Sequence, residues 1–463
     1  MSPQRIRIAH RIPGITILQL CGLLLMTSCG PPPRTYVPTT VPAPTKIPTP
    51  LAVTAPTTVS ASLTVTVPTT ATAASVEPAL GFLTNLAGDV EVNPPQASRS
   101  RGPGVASALT WASATPFQEM ASGYQLRMAA NSRATAVCYD GWARTFFGPG
   151  VQTFGPQGCQ GGVRLPPGSG GWITRWPGTI VRGGGSLVIV SPLRETRSDY
   201  GRIPVVLRPR NTSLIDPPPT VSWTEVDGAV RYVFRLGGGP AAHALVAVDV
   251  TADMCHADDR LAPQRVCEAP WPWPAAAGVL TADSPYFFTV AAIMANAAAE
   301  LKSENSVLHI LPSQKADEVR TSISDIAALP LDDVTLGLLR AGSYADHDLL
   351  DAAIEAYRGV LEQQPSAVVW VAVGDLYQDS GMLRLASLAY QNALGQLDAG
   401  PEAPVVRAAA ELGVARISKA YNGDHGAAKA RFDHSIDLFR SAGRPDAAAT
   451  AQVERNELDA SPK

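Results

Sequence analysis

The chain contains 463 residues, which is enough for about three domains of ordinary size. Apolar residues make up 45% of it and its net charge is only -3, which excludes a strongly basic or strongly acidic protein and points to no class of partner. The 41 prolines are unevenly placed, so the chain divides into segments of different character.

The N-terminus combines a positively charged start with a short apolar run. Three arginines among the first 11 residues precede the run at 15–26, which is too short for a membrane-spanning helix and has the length of a secretory signal core. The run ends in Met-Thr-Ser-Cys at 26–29, which resembles the lipobox of bacterial lipoproteins. That resemblance implies that 1–28 is a signal peptide and that Cys29 carries the lipid that anchors the protein to a membrane. The alternative is an ordinary signal peptide with an incidental cysteine.

Residues 29–78 form a linker of unusual composition. Between 31 and 76 there are 10 prolines and 13 threonines, and almost no charge. Such a segment cannot bury a hydrophobic core, so the sequence predicts an extended, disordered tether after the lipidated cysteine.

Four cysteines follow the linker: Cys138, Cys159, Cys255 and Cys267. Their neighbourhood in the sequence predicts disulfide bonds between the first two and between the last two, as is typical of exported proteins. Zinc is the competing interpretation, and the absence of any Cys-x-x-Cys pair disfavours it. The sequence therefore predicts two disulfides and no metal.

Residues 79–210 have the pattern of a first all-β module. Asp140-Gly141 lies between two strand-like runs, which is a strong hairpin signal. That pair, together with Gly-x-Val at 88–90 and Gly-x-x-Leu at 123–126, resembles the FecR-type extracytoplasmic domain. The resemblance implies a β-domain on the outer side of a membrane.

The first module is strongly basic. Residues 80–210 contain 13 arginines, no lysine and 6 acids, a balance of +7. A solvated arginine surface is one interpretation, and contact with an anionic envelope polymer or with lipid headgroups is the other. No nucleic-acid-binding motif is present, so the sequence predicts no nucleic acid partner.

Residues 211–313 have the pattern of a second β-module. Val221 and Trp223 alternate before an Asp-Gly turn, and a long strand signal returns at 280–293, where Tyr286 stands six residues after Leu280. These features resemble a fibronectin type III or immunoglobulin-like sandwich. Two further tryptophans, Trp271 and Trp273, suggest either a sugar-stacking platform or the cover of a loop.

Residues 314–463 show helical spacing of apolar residues. The segment at 368–394 resembles the tetratricopeptide repeat (TPR), whose key spacings are matched by Trp370, Gly374, Tyr377, Gly381, Ala386, Tyr390 and Ala393. A similar repeat lies upstream at 341–365, and a degenerate one lies near 423–432. The resemblance implies an all-α array with a concave groove that binds a peptide or a protein.

The groove residues implied by this resemblance are Leu338, Asp346, Val371, Asp375, Gln378 and Asp379. The alternative is an array that serves as a spacer or as a dimer contact.

Asp346, Asp348 and Asp351 cluster at a predicted helix start, where carboxylates stabilise the helix dipole. Residues 313–463 carry 22 acids and 14 bases, a balance of -8, so attraction to the basic first module is an open interpretation.

The whole sequence thus predicts a disordered linker, two all-β modules and an all-α repeat domain. No HExxH, P-loop or GxSxG motif occurs, so we expect neither an enzyme nor a cofactor. The expected function is that of a lipid-anchored adaptor in the bacterial cell envelope, which recruits an unknown protein partner through the TPR groove. Two alternatives are a FecR-like envelope sensor that acts through a partner, and a module that binds cell wall or glycan.

Overall fold

The computed structural model describes residues 79–94, 111–166, 201–218, 220–238, 244–249, 254–271, 280, 282, 284–295, 300–397, 403–420 and 424–460. The predicted signal peptide, Cys29 and the linker lie outside these ranges, as does Trp273. The described part forms strands up to residue 310 and helices from residue 313 onwards. A β region followed by a helical region is the order that the sequence predicts.

The first β-module contains two antiparallel sheets with strand orders β4-β1-β6-β7-β9 and β3-β2-β5-β8. Its strands are β1 (Ala79–Ala87), β2 (Val90–Asn93), β3 (Ala112–Ser113), β4 (Glu119–Ala121), β5 (Gln125–Met128), β6 (Arg133–Cys138), β7 (Trp142–Phe147), β8 (Gly150–Thr153) and β9 (Val163–Arg164). Leu83, Leu126 and Phe146 are among the apolar side chains buried between the strands.

The predicted hairpin at Asp140-Gly141 is confirmed. Strands β6 and β7 pair with Cys138 opposite Trp142, and Gly141 takes a φ of +80°, which a side chain would disfavour. A disulfide joins Cys138 to Cys159, in the turn region between β8 and β9. The covalent link therefore holds the end of the hairpin against the core of the module.

The second β-module contains two further sheets, with strand orders β10-β12-β16-β15 and β11-β19-β17-β13-β14, and β18 added to β17. Its strands are β10 (Val206–Arg208), β11 (Thr212–Leu214), β12 (Thr220–Thr224), β13 (Ala229–Gly238), β14 (Ala244–Asp249), β15 (Cys255–Ala257), β16 (Arg265–Pro270), β17 (Pro285–Met294), β18 (Leu301–Lys302) and β19 (Ser306–Ile310). Strand β10 precedes the predicted boundary at 210 but pairs with β12, so it belongs to this module.

The core of the second module is aromatic. The ring of Trp223 packs edge-on against Tyr232 and Phe234, with centroids 5.0 Å apart in both cases. Strands β15 and β16 place Cys255 directly opposite Cys267, and a disulfide joins them. Both disulfides that the sequence predicts are thus present.

The helices form an array of antiparallel neighbours. They are α1 (Ser313–Ala327), α2 (Asp333–Asp346), α3 (Leu350–Gln363), α4 (Ala367–Asp379), α5 (Leu383–Gly395), α6 (Ala403–Ala420), α7 (His425–Ser441) and α8 (Pro445–Ala460). Each helix packs on the next, and α4 also contacts α6. Within the described ranges, none of these helices is long and apolar enough to cross a bilayer.

Close packing in the array depends on two glycines. A Cβ added at Gly374 of α4 would lie 2.6 Å from the ring of Tyr390, and one added at Gly413 of α6 would lie 2.2 Å from it. The Tyr390 ring, which projects from α5 and is fully buried, therefore fills the space between these two helices. Side-chain caps begin α2 and α4, since Asp332 accepts the N–H of Thr335 and Ser366 accepts that of Val369.

Candidate partner-binding surface of the helices

The six predicted groove residues do not share one open surface. Leu338 is fully buried and Val371 is 3% exposed, so neither is available to a partner in this packing. Asp346, Asp375, Gln378 and Asp379 are half-buried. The resemblance to the TPR implied these six residues, but it did not reveal what covers two of them.

The first β-module contacts one edge of the array, which we call the first edge. It comprises the start of α2, the α3–α4 turn and the α7–α8 turn, which lie at the same end because successive helices are antiparallel. Here the hydroxyls of Thr84 in β1 and Thr335 in α2 are 2.7 Å apart, and Gln364 Nε2 donates to the carbonyl of Thr84 at 3.2 Å. Thr335 is one turn from Leu338 on α2, so β1 reaches the row that contains the predicted groove residue.

Apolar burial strengthens the contact at the first edge. Phe82, Phe117 and Leu165 of the first β-module belong to one buried cluster that also contains Leu338 and Val371. Fully or almost fully buried aromatic side chains of this size contribute about 1.5–3 kcal/mol each. The β-module and the helices therefore share a hydrophobic core.

The first β-module also reaches the far end of the array. Glu119 in β4 forms an ion pair with Arg444 in the α7–α8 turn, and Arg444 is about one-third exposed. Because β1 contacts α2 and β4 contacts the α7–α8 turn, this single module bridges helices that are about 100 residues apart in the chain.

The second β-module contacts the opposite edge, which we call the second edge and which comprises the α2–α3 and α4–α5 turns. Asn211 Nδ2 and Arg210 Nε donate to the carbonyl of Ser380, at 2.7 and 3.2 Å. The N–H of Ser213 donates to the carbonyl of Asp348 at 2.8 Å. These two carbonyls lie where α4 and α2 have just ended, so the module supplies donors to helix-end oxygens that have no partner within their own helix.

The half-buried part of the predicted groove is polar. The hydroxyl of Tyr390 donates to Asp375 Oδ1 at 2.5 Å, and its Gln378 Oε1 contact is longer, at 3.5 Å. Burial, followed by the nearby charge of Asp375, raises the pKa of Tyr390 well above its ordinary value, so the phenol stays protonated and keeps donating. Asp375, Gln378 and Asp379 therefore form a polar, acidic row at the C-terminal half of α4.

Some basic and aromatic residues of the β-modules that the structure describes are engaged within their own modules. Arg127 pairs with Glu91 and lies over the ring of Trp111, with 4.5 Å between the guanidinium carbon and the ring centroid. The ring of Trp271 packs against Phe288 in the core of the second module, at a centroid distance of 5.9 Å. Such a ring offers less free surface for stacking on a sugar than an exposed tryptophan does.

A cavity of about 140 Å³ lies between the second β-module and helices α3 to α5. Arg208 and Asp351 are among the residues that line it. The sequence predicts only that Asp351 lies near a helix start, and it does lie in the first turn of α3. No local pattern pairs it with Arg208, because the two residues meet only in the folded chain.

In the described part of the chain, no group of three or more His, Cys, Asp or Glu side chains is placed to hold a metal ion.

Comparisons with known proteins add little. No family model matches the chain, and no curated protein matches it. A solved structure, that of BtubC (BKLC) from P. vanneervenii, is similar over 32% of this chain and 76% of that chain, with 16% sequence identity and a TM-score of 0.22. A similarity of that size identifies neither a shared fold nor a shared function.

Proposed function

We propose that this protein is a lipid-anchored scaffold of the bacterial cell envelope, and that its helices bind a protein partner by the half-exposed row of Asp375, Gln378 and Asp379. The observation that carries the proposal is the stack of close-packed helix pairs around Tyr390, together with the TPR spacing of the same residues. In this proposal the helices are TPR-like repeats, the first β-module is FecR-like, and the second is a fibronectin III or immunoglobulin-like sandwich.

Two features support the envelope location. The sequence at 26–29 has the order of a lipobox, and each β-module contains one disulfide, a type of bond that persists in oxidising compartments. A linker fully extended at about 3.1 Å per residue would let the folded part lie at most about 140 Å from the membrane. The mechanism is then an increase in the effective concentration of a partner near the membrane, without catalysis.

The chemistry of the row defines the partner. Carboxylates and an amide oxygen accept hydrogen bonds, so we expect a segment that presents lysine, arginine or backbone N–H groups. The row on α2 around Leu338 is covered by the first β-module, so the partner would contact α4 and its neighbours rather than the whole concave face.

The anchor is tested by the variant Cys29→Ser, with Cys21→Ser as the matched control. Cells are labelled with an alkyne fatty acid, and the membrane and soluble fractions are compared. We expect Cys29→Ser to lose the label and to leave the membrane fraction, while Cys21→Ser keeps both. Retention of label by Cys29→Ser would exclude lipidation at this residue.

The binding row is tested by a photo-crosslinking amino acid at Asp379 in the full-length protein in cells. The same amino acid at Asn456, exposed on α8, is the control. We expect a discrete protein adduct from position 379 that is absent from position 456 and is lost when Asp375→Arg is added. Adducts that are identical from both positions, or that consist of wall fragments, would contradict binding by this row.

A further inference from the structure

The cavity between the second β-module and the helices has both a polar and an apolar side. Its apolar wall is formed by Leu207, Leu261, Val266, Ile354, Met382 and Leu385. Its polar side comprises Arg208 from β10, His256, Asp258, Arg260 and Glu268 from β15, β16 and the turn between them, and Asp351, Glu355 and Arg358 from α3. A cavity needs roughly 10–15 Å³ to hold one water molecule, so a volume of about 140 Å³ is large enough for a small organic molecule.

Several of these charged groups pair with one another. Asp258 accepts two hydrogen bonds from Arg260 Nε, at 2.9 and 3.2 Å, and Glu355 accepts one from Arg358 at 3.3 Å. These pairs lower the pKa of Asp258, first through its hydrogen bond with Arg260. They form the charged rim of the cavity and need no further ligand.

Two buried atoms of the cavity differ from this pattern. Arg208 Nε and Asp351 Oδ2 are both shielded from solvent, and neither atom has a hydrogen-bond partner among the described residues. The other side of the Arg208 guanidinium is loosely paired, with Nη1 4.0 Å from Glu355 Oε1. Leaving a buried donor or acceptor unsatisfied costs about 1–3 kcal/mol, and more when the group is charged. Such a pair in one cavity is the arrangement expected of a site whose partner groups come from outside the chain.

The environment of Asp351 indicates the charge of the ligand group that would contact it. Burial raises the pKa of Asp351 to about 7, although Arg208 and the N–H of Arg210 favour its charged form. A cationic group that donates to Oδ2 would supply the compensation that the protein does not. The planar fork of Arg208 suits a carboxylate, which accepts hydrogen bonds along the directions in which a guanidinium donates.

We propose that this cavity binds a small zwitterion with an apolar side chain, an α-amino acid, whose carboxylate contacts Arg208 and whose ammonium contacts Asp351. The apolar side chain lies against the wall formed by Ile354, Met382 and Leu385. Because β10 and the β15–β16 hairpin supply one half of the site and α3 to α5 the other, the ligand also ties the second β-module to the helices. This inference goes beyond the scaffold function and does not depend on it.

The ligand side of the proposal is tested without changing the protein. The full-length chain in detergent is heated with each of L-alanine, L-valine, L-leucine, L-isoleucine, L-methionine and L-phenylalanine, because a ligand that binds only the folded state raises Tm. We expect at least one to raise Tm and to bind in calorimetry. For that amino acid, the N-acetyl derivative lacks the ammonium and the amide derivative lacks the carboxylate, and each should bind at least tenfold more weakly.

Three outcomes would overturn the proposal. They are no shift of Tm with any of the six amino acids, equal binding of the parent amino acid and both derivatives, and unchanged binding by both Arg208→Gln and Asp351→Asn. The first outcome would mean that the cavity does not bind an α-amino acid with any of these side chains.

The protein side is tested with Arg208→Gln and Asp351→Asn, and Glu362→Gln, an exposed acid on α3 outside the cavity, is the matched control. We expect each cavity variant to weaken binding at least tenfold and Glu362→Gln to leave it unchanged. Leu385→Phe reduces the space on the apolar side and keeps both polar atoms, so it should weaken the larger amino acids more than L-alanine. Equal binding by the variants and the control would contradict the assignment.

Discussion

The two edges of the helical array are joined to the β-modules by different physical means. At the first edge, Phe82 and Phe117 share a buried apolar cluster with the helices. One hydroxyl pair, one hydrogen bond from Gln364 and one partly buried ion pair add to it. At the second edge, Arg210, Asn211 and Ser213 donate to two backbone carbonyls. Burial contributes at both edges, since Leu261 and Val266 of the second β-module belong to the same buried cluster, but directed hydrogen bonds are more numerous at the second edge.

The contacts at the second edge also supply hydrogen-bond donors to the C-terminal end of a helix. The last carbonyls of a helix lack intrahelical donors, and a positive charge near them interacts favourably with the helix dipole. Ser380 is the C-cap of α4, and its carbonyl receives both the Arg210 guanidinium and the Asn211 amide. The second β-module thus acts as a cap supplied by a distant part of the chain.

The largest effect is expected at the apolar edge. Phe82→Ala removes a fully buried ring that packs near Phe117 and Tyr139, and it should lower the free energy of unfolding by about 3–5 kcal/mol. Urea unfolding of the exported protein measures this. The exposed Phe147→Ala is the control and should change the free energy by less than about 0.5 kcal/mol. Equal effects of the two substitutions would contradict a shared core at the first edge.

The next largest effect is a dependence of stability on pH, which we expect Asp351 in the first turn of α3 to cause. Its pKa is raised to about 7 by burial, so between about pH 4 and pH 7 the folded state holds a proton that the unfolded state releases. Stability should therefore fall as pH rises from about 4 to about 7 and stay level above that. At about 1.4 kcal/mol per pKa unit the whole fall is up to about 4 kcal/mol, of which about 3 kcal/mol lies between pH 5 and pH 8. Asp351→Asn should abolish this fall.

Urea unfolding at pH 5 and pH 8 measures the difference in the absence of added ligand. Glu362→Gln, on the same helix but exposed, should keep the wild-type dependence on pH. If Asp351→Asn shows the same fall between pH 5 and pH 8 as the wild type, the titrating group is not Asp351.

A smaller effect is expected from the directed contacts at the second edge. Arg210→Met keeps an unbranched side chain of similar length but removes the donors to Ser380 and Val206, so we expect a loss of about 2–3 kcal/mol. Asn211 still donates to Ser380, which limits the loss. Arg202→Met, exposed in the same module, should be close to neutral, and a loss as large as that of Arg210→Met would assign the effect to charge alone.

The smallest effect is expected from the hydroxyl pair at the first edge. Thr84→Val keeps the shape of the side chain and removes its bonds to Thr335 and to the carbonyl of Thr135. Thr335 still has Asp332 as a partner at 2.8 Å. We expect a loss of about 1 kcal/mol in urea unfolding. A loss above about 3 kcal/mol would mean that hydrogen bonding, rather than burial, dominates this edge.

Local features of the fold could be predicted from the sequence because their signals are local. Tyr232, Phe234 and Leu236 alternate in the sequence and are all fully buried, and the preceding turn places Gly228 at a φ of +78°. The change to helical spacing predicted near residue 314 corresponds to the start of α1 at Ser313. A period of two or of 3.6 residues is set by the backbone itself, so it is visible in a short window.

The two edges and the cavity could not be predicted in the same way. Arg210 lies 170 residues from Ser380 in the chain. Nothing in the neighbouring sequence distinguishes an arginine that will be buried from one that will be exposed. The resemblance to the TPR implied a groove that contains Leu338 and Val371, but a repeat pattern does not show which other part of the chain packs on that surface. Which face is covered depends on tertiary packing.

The most direct test of a helical array joined to its first β-module is a pair of cysteines at the first edge. In the full-length exported protein, Thr84→Cys and Thr335→Cys replace two hydroxyls that are 2.7 Å apart. We expect the double variant to form a new disulfide, detected by peptide mapping without reduction, while each single variant keeps a free thiol and both native disulfides remain. If the two introduced cysteines stay reduced and react readily with a thiol label, the first β-module does not cover α2, and the predicted groove is open along its whole length.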